Sequence, residues 1–294
     1  MWPSFAIFFV WVHVSPIPPE PRTARAWHCT SRLAHDGVLV RSDADRRSVV
    51  TAILKHGRRA GLIAYAVVDT HMHCVFVCER GLAGEAMRRI ELSCHRRLRL
   101  GQRFDGARIR PIRDQGHLRN VIPYVLNQVR RHELQTDSLQ EGSALHDLLG
   151  LRVPGLGLPD ALQAELPRVV LPSLWRQLGV EPELTEDWAR GLDPAELPHL
   201  REAAQAAFAL RFIGGRGHPL VRAAMVQAAG THSIRVTARA AGVARSTIAR
   251  LRAMHVPTSW IHAIRRQVRL RCRAKRLREQ APSASTARHA GSPR

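Results

Sequence analysis

The spacing of apolar residues changes several times along the first half of the chain, and each change marks an element. Residues 25–33 (RAWHCTSRL) read as a first strand. Residues 43–60 carry Val49, Val50, Ile53 and Leu54 at helical spacing. Ser42 and Asp43 supply N-cap chemistry there, and Gly57 and Gly61 mark the end. Residues 62–68 and 72–78 are rich in β-branched and apolar residues and read as two strands that meet near Asp69-Thr70. Residues 82–100 read as an arginine-rich helix with Met87, Ile90 and Leu98 inward. Phe104–Ile112 reads as a fourth strand with Ile109 and Ile112 apolar, and residues 115–134 as a further helix. Pro123 falls within that helix, so the helix restarts there or is kinked. The order β-α-β-β-α-β-α predicts an α+β fold, a ferredoxin-like antiparallel sheet with helices on one face.

The second half reads as all-α. Residues 135–160 are loop-rich, with Gly142, Gly150, Gly155 and Gly157. Leu162, Leu166, Val170, Leu174 and Trp175 then recur in short helices cut by Pro159, Pro167, Pro172 and Pro182. Leu197–Phe212 and Ala223–Ala229 read as helices. Residues 231–254 (THSIRVTARAAGVARSTIARLRAM) predict a helix-turn-helix. Ile234 and Ala238 lie on its first helix, Gly242 at its turn, Val243 after it, and Ser246-Thr247-Ile248 opens the second helix. In that geometry Ala244, Arg245, Ser246, Thr247 and Arg250 would reach base edges. An ordinary helical hairpin with a left-handed glycine is the other reading. Ile261–Arg278 is a basic helix without an acidic residue, either a phosphate contact or a solvated tail. The expected division is an appended segment over 1–22, a first domain over 23–150, a helical connector over 151–195, a helical DNA-binding domain over 196–280 and a disordered tail over 281–294.

Charge adds a partner to this picture. The chain has 294 residues, 45% of them hydrophobic, enough for a real core, and its formal net charge is 45 − 24 = +21. A chain this basic points to a polyanion, and first to nucleic acid. Lys55 and Lys275 are its only lysines. Arginine suits bidentate contacts to phosphate and guanine, although a GC-rich genome produces the same bias. The five cysteines (Cys29, Cys74, Cys78, Cys94 and Cys272) are scattered and form no Cys-x-x-Cys, which argues for a reducing compartment. The apolar run 2–14 (WPSFAIFFVWVHV) is too short to span a bilayer comfortably, and it lacks the charged start and cleavage site of a signal peptide. The expected setting is cytoplasmic, with no membrane partner.

The chemistry concentrates in His71-Met72-His73 and Tyr124-Val125-Leu126-Asn127-Gln128. On a strand His71 and His73 point to the same face, and on a helix Tyr124 and Gln128 share a face. Brought together they offer two imidazoles, an amide oxygen and a phenol: a metal site with a nucleophile beside it. A zinc site of His71, His73, Cys74 and Cys78 is the competing reading, and it is awkward because Cys74 points away from the histidines on a strand.

In these residues the chain resembles the single-tyrosine HUH transposases of bacterial insertion sequences and their relatives, the REP-associated tyrosine transposases. The pattern is His-hydrophobic-His on a central strand, then Tyr-x-x-x-Gln on a later helix, and the resemblance covers roughly residues 22–150. The chain has Asp69-Thr70-His71-Met72-His73 where members usually have Pro-Asn-His-x-His. It has Asn127-Gln128-Val129-Arg130 where they often have an Asn-Pro-Val-Arg-like turn. The resemblance implies a bacterial, nucleoid-associated enzyme that cleaves and rejoins single-stranded DNA near a hairpin. His71, His73 and Gln128 would hold Mg²⁺ or Mn²⁺, and Tyr124 would form a 5′-phosphotyrosine. Arg88, Arg89, Arg96 and Arg97 are further candidates for DNA contact, with Arg245, Ser246, Thr247 and Arg250 in the second half. A second copy of the chain, as a homodimer, is a further expected partner. Two other classes stand beside this one. A non-catalytic DNA-binding regulator would use the helix-turn-helix. An RNA-binding sheet would need aromatic residues on its central strands, and only Tyr65 and Phe76 are there.

Overall fold

The computed structural model describes residues 25–128, 139–153, 157–166, 171–177, 190–210 and 217–280. Strand β1 (Ala26–Arg32) alternates as a half-covered strand must, with Trp27, Cys29 and Ser31 buried and His28 and Thr30 half-buried. β2 (Leu62–Val67) and β3 (His71–Val77) are buried almost throughout, so both of their faces are covered. The fourth strand is shorter than its apolar pattern suggests: β4 is Arg108–Ile112, and Phe104 contributes only a single bridge to Leu33. The sheet order is β2-β3-β1-β4 and every pairing is antiparallel.

Helix α1 (Asp43–Gly57) starts where Ser42 accepts a hydrogen bond from the Asp45 amide at 3.2 Å, with Asp43 and Asp45 in its positive first turn. It closes through a 3₁₀ turn into Gly61, at φ +67, where a Cβ would sit 2.2 Å from the Val77 carbonyl oxygen. Only glycine meets both demands there. Helix α2 (Arg80–Leu98) turns Ala83, Ala86, Met87, Ile90 and Cys94 inward. α1 and α2 pack together on one face of the sheet. On that face Ser31 donates to Glu91 of α2 at 2.6 Å, and Gly84 of α2 approaches Ile109 of β4.

The expectation of helices on one face fails at helix α3 (Gln115–Leu126), which lies on the other. Its stripe of Leu118, Val121, Ile122 and Val125 needs an apolar surface, and both faces of β2 and β3 offer one. Asp114 caps it by accepting from the His117 amide at 2.7 Å. The helix runs through Pro123, whose carbonyl still accepts from the Asn127 amide at 3.0 Å, so it does not restart there. The expected extension to residue 134 lies partly outside the described residues.

The β2 edge is closed by residues 142–144. The Val67 amide donates to the Gly142 carbonyl at 2.7 Å and the Ala144 amide to the Tyr65 carbonyl at 2.9 Å. Arg152, almost fully buried, locks this strap. It reaches Asp147 at 3.0 Å, the Tyr65 hydroxyl at 2.7 Å and the Glu141 carbonyl. A buried guanidinium needs acceptors of this kind; both terminal nitrogens of Arg152 have them, while its Nε has none among the described residues.

Helices α4 (Leu145–Leu148), α5 (Leu158–Glu165) and α6 (Leu171–Gln177) add Leu145, Leu158, Leu162, Leu174 and Trp175 to the core of the sheet. A second core gathers α7 (Leu200–Phe208), α8 (Pro219–Ala229), α9 (Ile234–Ala241), α10 (Ile248–Ala253) and α11 (Thr258–Gln280). Its facing residues are largely alanine, which lets the helices approach closely. Within the expected helix over Leu197–Phe212, a 3₁₀ turn is followed by α7, and residues 211–212 lie outside the described residues. The expected appendage 1–22 and tail 281–294 lie outside the described residues.

The basic C-terminal helix has a different task from the one its charge suggests. In α11 Arg265 donates to the Ala228 carbonyl at 3.1 Å, Arg266 to the Leu149 carbonyl at 2.9 Å, and Gln267 to the Leu151 carbonyl at 3.1 Å. Arg269 pairs with Glu196 at 3.5 Å. Arg266 and Gln267 tie the second core to the end of the first, while Arg265 and Arg269 bond within the second.

Candidate functional site

Three elements meet on the α3 face of the sheet. On β3, His71 and His73 point the same way, and their ring centroids lie 4.8 Å apart. The β1–β3 register sets Thr30 opposite His73, which puts His28 and Thr30 on the His73 face too. α3 then lays the Tyr124 ring edge-on against both His73 and His28, with centroids 5.8 Å away in each case. Tyr124 is 38% exposed beside a His73 that is only 3% exposed. A phenol open to solvent beside a buried imidazole can be reached by a large substrate.

Each imidazole has a polar neighbour. Thr70 Oγ1 lies 3.0 Å from His71 Nδ1. His73 Nδ1 faces His28 Nε2 at 2.9 Å and Thr30 Oγ1 at 3.2 Å. The His28 and His73 rings stack, with centroids 5.2 Å apart and planes 15° from parallel. Burial, followed by the charges of Arg110 and His117, lowers the His28 pKa to about 4, so the ring is neutral in ordinary buffers.

Gln128 is buried one turn beyond Tyr124. Its Nε2 donates to the Tyr124 carbonyl at 2.9 Å, and its Oε1 is a buried acceptor with no hydrogen-bond partner among the described residues. Among those residues no group of three or more His, Cys, Asp and Glu is arranged to hold a metal ion. Imidazole nitrogen and amide oxygen are donor types that suit a divalent cation, and the orphaned Gln128 Oε1 is an oxygen of that type. The zinc alternative loses Cys74, one of its two thiols. Cys74 turns to the α2 face beside Cys29 and Cys94, where burial holds its pKa well above the ordinary value.

The arginine candidates of α2 lie away from this cluster. Arg88, Arg89, Arg96 and Arg97 are exposed, but α2 covers the opposite face of the sheet. Arg88 and Arg89 both bind Glu85, whose carboxyl their hydrogen bonds hold down to about 2. Sequence reasoning passed over two other arginines. Arg108 and Arg110 of β4 pair with Thr30 and His28, so they share the site's face, and both are exposed. The alternation Arg-Ile-Arg was readable, but only the register says which face it serves. His28 was missed for the same reason.

In the second half, Arg245, Ser246 and Arg250 are exposed around the start of α10, after Gly242 at φ +65. Thr247 is half-buried and donates to the Ala244 carbonyl at 2.7 Å, so its hydroxyl serves the turn. Among the described residues no helix is long and apolar enough to cross a membrane.

No family model matches the chain, and no curated protein matches it. Among solved structures it is similar to one described as a REP-associated tyrosine transposase bound to a REP hairpin. The TM-score is 0.36 and the identity 16%, over 49% of this chain and 84% of that chain. A likeness this slight carries no argument about function.

Proposed function

We propose that the chain is a DNA strand transferase that cleaves and rejoins single-stranded DNA with Tyr124 as its nucleophile. The supporting observation is the Tyr124 ring, exposed and packed edge-on against His73 and His28 from another element. In this reading the fold is a ferredoxin-like sheet, and the phosphate is held at the mouth of the His pair. The Tyr124 oxygen attacks phosphorus, a Tyr–O–P bond forms, and the P–O3′ bond breaks. The 3′ oxygen leaves as a hydroxyl, which can later attack the phosphotyrosine and reseal a strand. His71, His73 and Gln128 would hold Mg²⁺ or Mn²⁺, which when bound supplies Lewis-acid polarisation of a phosphate oxygen. Arg108 and Arg110, on the site's own face, take the DNA contact expected of the α2 arginines. The substrate is DNA that contains a hairpin, and the tyrosine acts within one copy or across a homodimer.

The test incubates single-stranded oligonucleotides from the gene's flanks with the protein and Mn²⁺ or EDTA, beside Tyr124→Phe. The expected result is a covalent protein–DNA adduct that needs both Mn²⁺ and Tyr124. Binding without an adduct, across all flanking hairpins, supports a second reading: a non-catalytic DNA-binding regulator. That reading draws on exposed Arg245, Ser246 and Arg250 after a left-handed glycine turn, a helix-turn-helix-like arrangement.

A further inference from the structure

We propose that His28 is a positioning residue that fixes the tautomer of His73. The idea rests on the metal-site reading above, but it concerns a residue which that reading does not use. The observation is geometric. His28 Nε2 and His73 Nδ1 face each other at 2.9 Å, and the two rings are stacked with centroids 5.2 Å apart. At that distance a single proton lies between the two nitrogens. If His73 Nδ1 carries it, His28 Nε2 accepts, and the lone pair of His73 is left on Nε2. Thr30 Oγ1, at 3.2 Å from the same Nδ1, is a second polar partner for that nitrogen. Both partners address the same end of the ring, so they select which nitrogen is left for a ligand.

The backbone explains why the contact can form. Neighbouring strands stand about 4.8 Å apart, so a side chain on β1 reaches a ring on β3 without a turn or loop between them. His28 sits diagonally from His73 in the register, since its direct partner is Val75. A diagonal neighbour is within reach of a ring but not of a short side chain. The same His28 ring meets the edge of Tyr124, so one residue touches both the expected ligand and the expected nucleophile. His28 itself stays outside the ligand set.

The experiment compares three full-length proteins in a Tyr124→Phe background: His28 retained, His28→Phe and His28→Gln. Phenylalanine keeps a ring and removes the acceptor. Glutamine can return an acceptor oxygen to about the same place. Two readouts are taken. One is the ¹⁵N signature of the His73 ring in metal-free protein, which reports its tautomer. The other is the Kd for Mn²⁺ by calorimetry. We expect the Nδ1–H form of His73 in the parent and its loss in His28→Phe, with Mn²⁺ binding weakened about 10–100-fold. His28→Gln should restore most of both. An unchanged tautomer and Kd in a folded His28→Phe protein would overturn the positioning role while leaving the metal site standing. A parent in which Mn²⁺ binding is absent, or is untouched by His71→Ala and His73→Ala, would remove the metal reading itself. A parent with His73 in the Nε2–H form would overturn the tautomer assignment whatever the metal does.

Discussion

At the scale of single residues, the chemistry of this protein depends on which side of the sheet a side chain occupies. His73 and Cys74 are neighbours in sequence, yet one meets Tyr124 and the other joins Cys29 and Cys94 under α2. Burial pushes the Cys29 and Cys94 thiols up to about 12. These groups keep their protons in the folded chain at a pH where the unfolded chain, near its ordinary value of 9.0, has lost them. Their contribution to stability is therefore fully present below pH 9 and lost as the pH rises from 9 towards 12. Denaturant titrations should show a steep alkaline loss of stability, flattened in Cys29→Ala/Cys94→Ala. In the folded protein these thiols should also resist alkylation at pH 8, because the thiolate is the reactive form. The His pair and Tyr124 were legible as residues at their spacings. His28 was not, because nothing local marks a half-buried histidine on β1 as the neighbour of His73.

At the scale of elements, the spans of α1, β2, β3 and α2 follow their apolar periods closely, and Ser42 and Gly61 end α1 where expected. β4 is shorter because Phe104 makes only an isolated bridge. Edge strand β4 also shows how a helix and a strand compete for one role. The α2 arginines and the β4 arginines are all exposed, but only Arg108 and Arg110 share the face of Tyr124. Substituting Arg108→Ala/Arg110→Ala should weaken binding of single-stranded DNA and make its salt dependence shallower. Two lost phosphate contacts change the slope of log K against log salt by about 1.4. Arg96→Ala/Arg97→Ala should leave that slope in place. Fluorescence anisotropy over a salt series separates the two outcomes, and the reverse result would return DNA contact to α2.

At the scale of the whole molecule, α11 decides how the two cores stand to each other. Arg266 and Gln267 donate to the carbonyls of Leu149 and Leu151, more than a hundred positions away in sequence. Removing a charged donor to a buried carbonyl costs about 1.5–3 kcal/mol. Arg266→Ala/Gln267→Ala should lower the midpoint of urea denaturation, while DNA binding keeps its salt slope. A slope that falls along with stability would mean that α11 also touches phosphate. The sequence marks α11 as basic, which fits either a phosphate contact or a solvated tail. The structure spends much of that charge on backbone carbonyls and on Glu196.

The sequence by itself determined the order of strands and helices, the helix caps, the basic balance, and a His-x-His and Tyr-x-x-x-Gln pair capable of one chemistry. Those features are local, set by periodicity, capping and residue type within a few positions of each other. Only the tertiary structure decided that α3 lies across the sheet from α1 and α2. Only it put Tyr124 against His73, brought in His28, Arg108 and Arg110, and turned Cys74 and the α2 arginines away. All of these depend on strand register and on which apolar stripe covers which face. In a sheet buried on both faces, the apolar pattern along β2 and β3 is nearly continuous and does not say which face a helix will take.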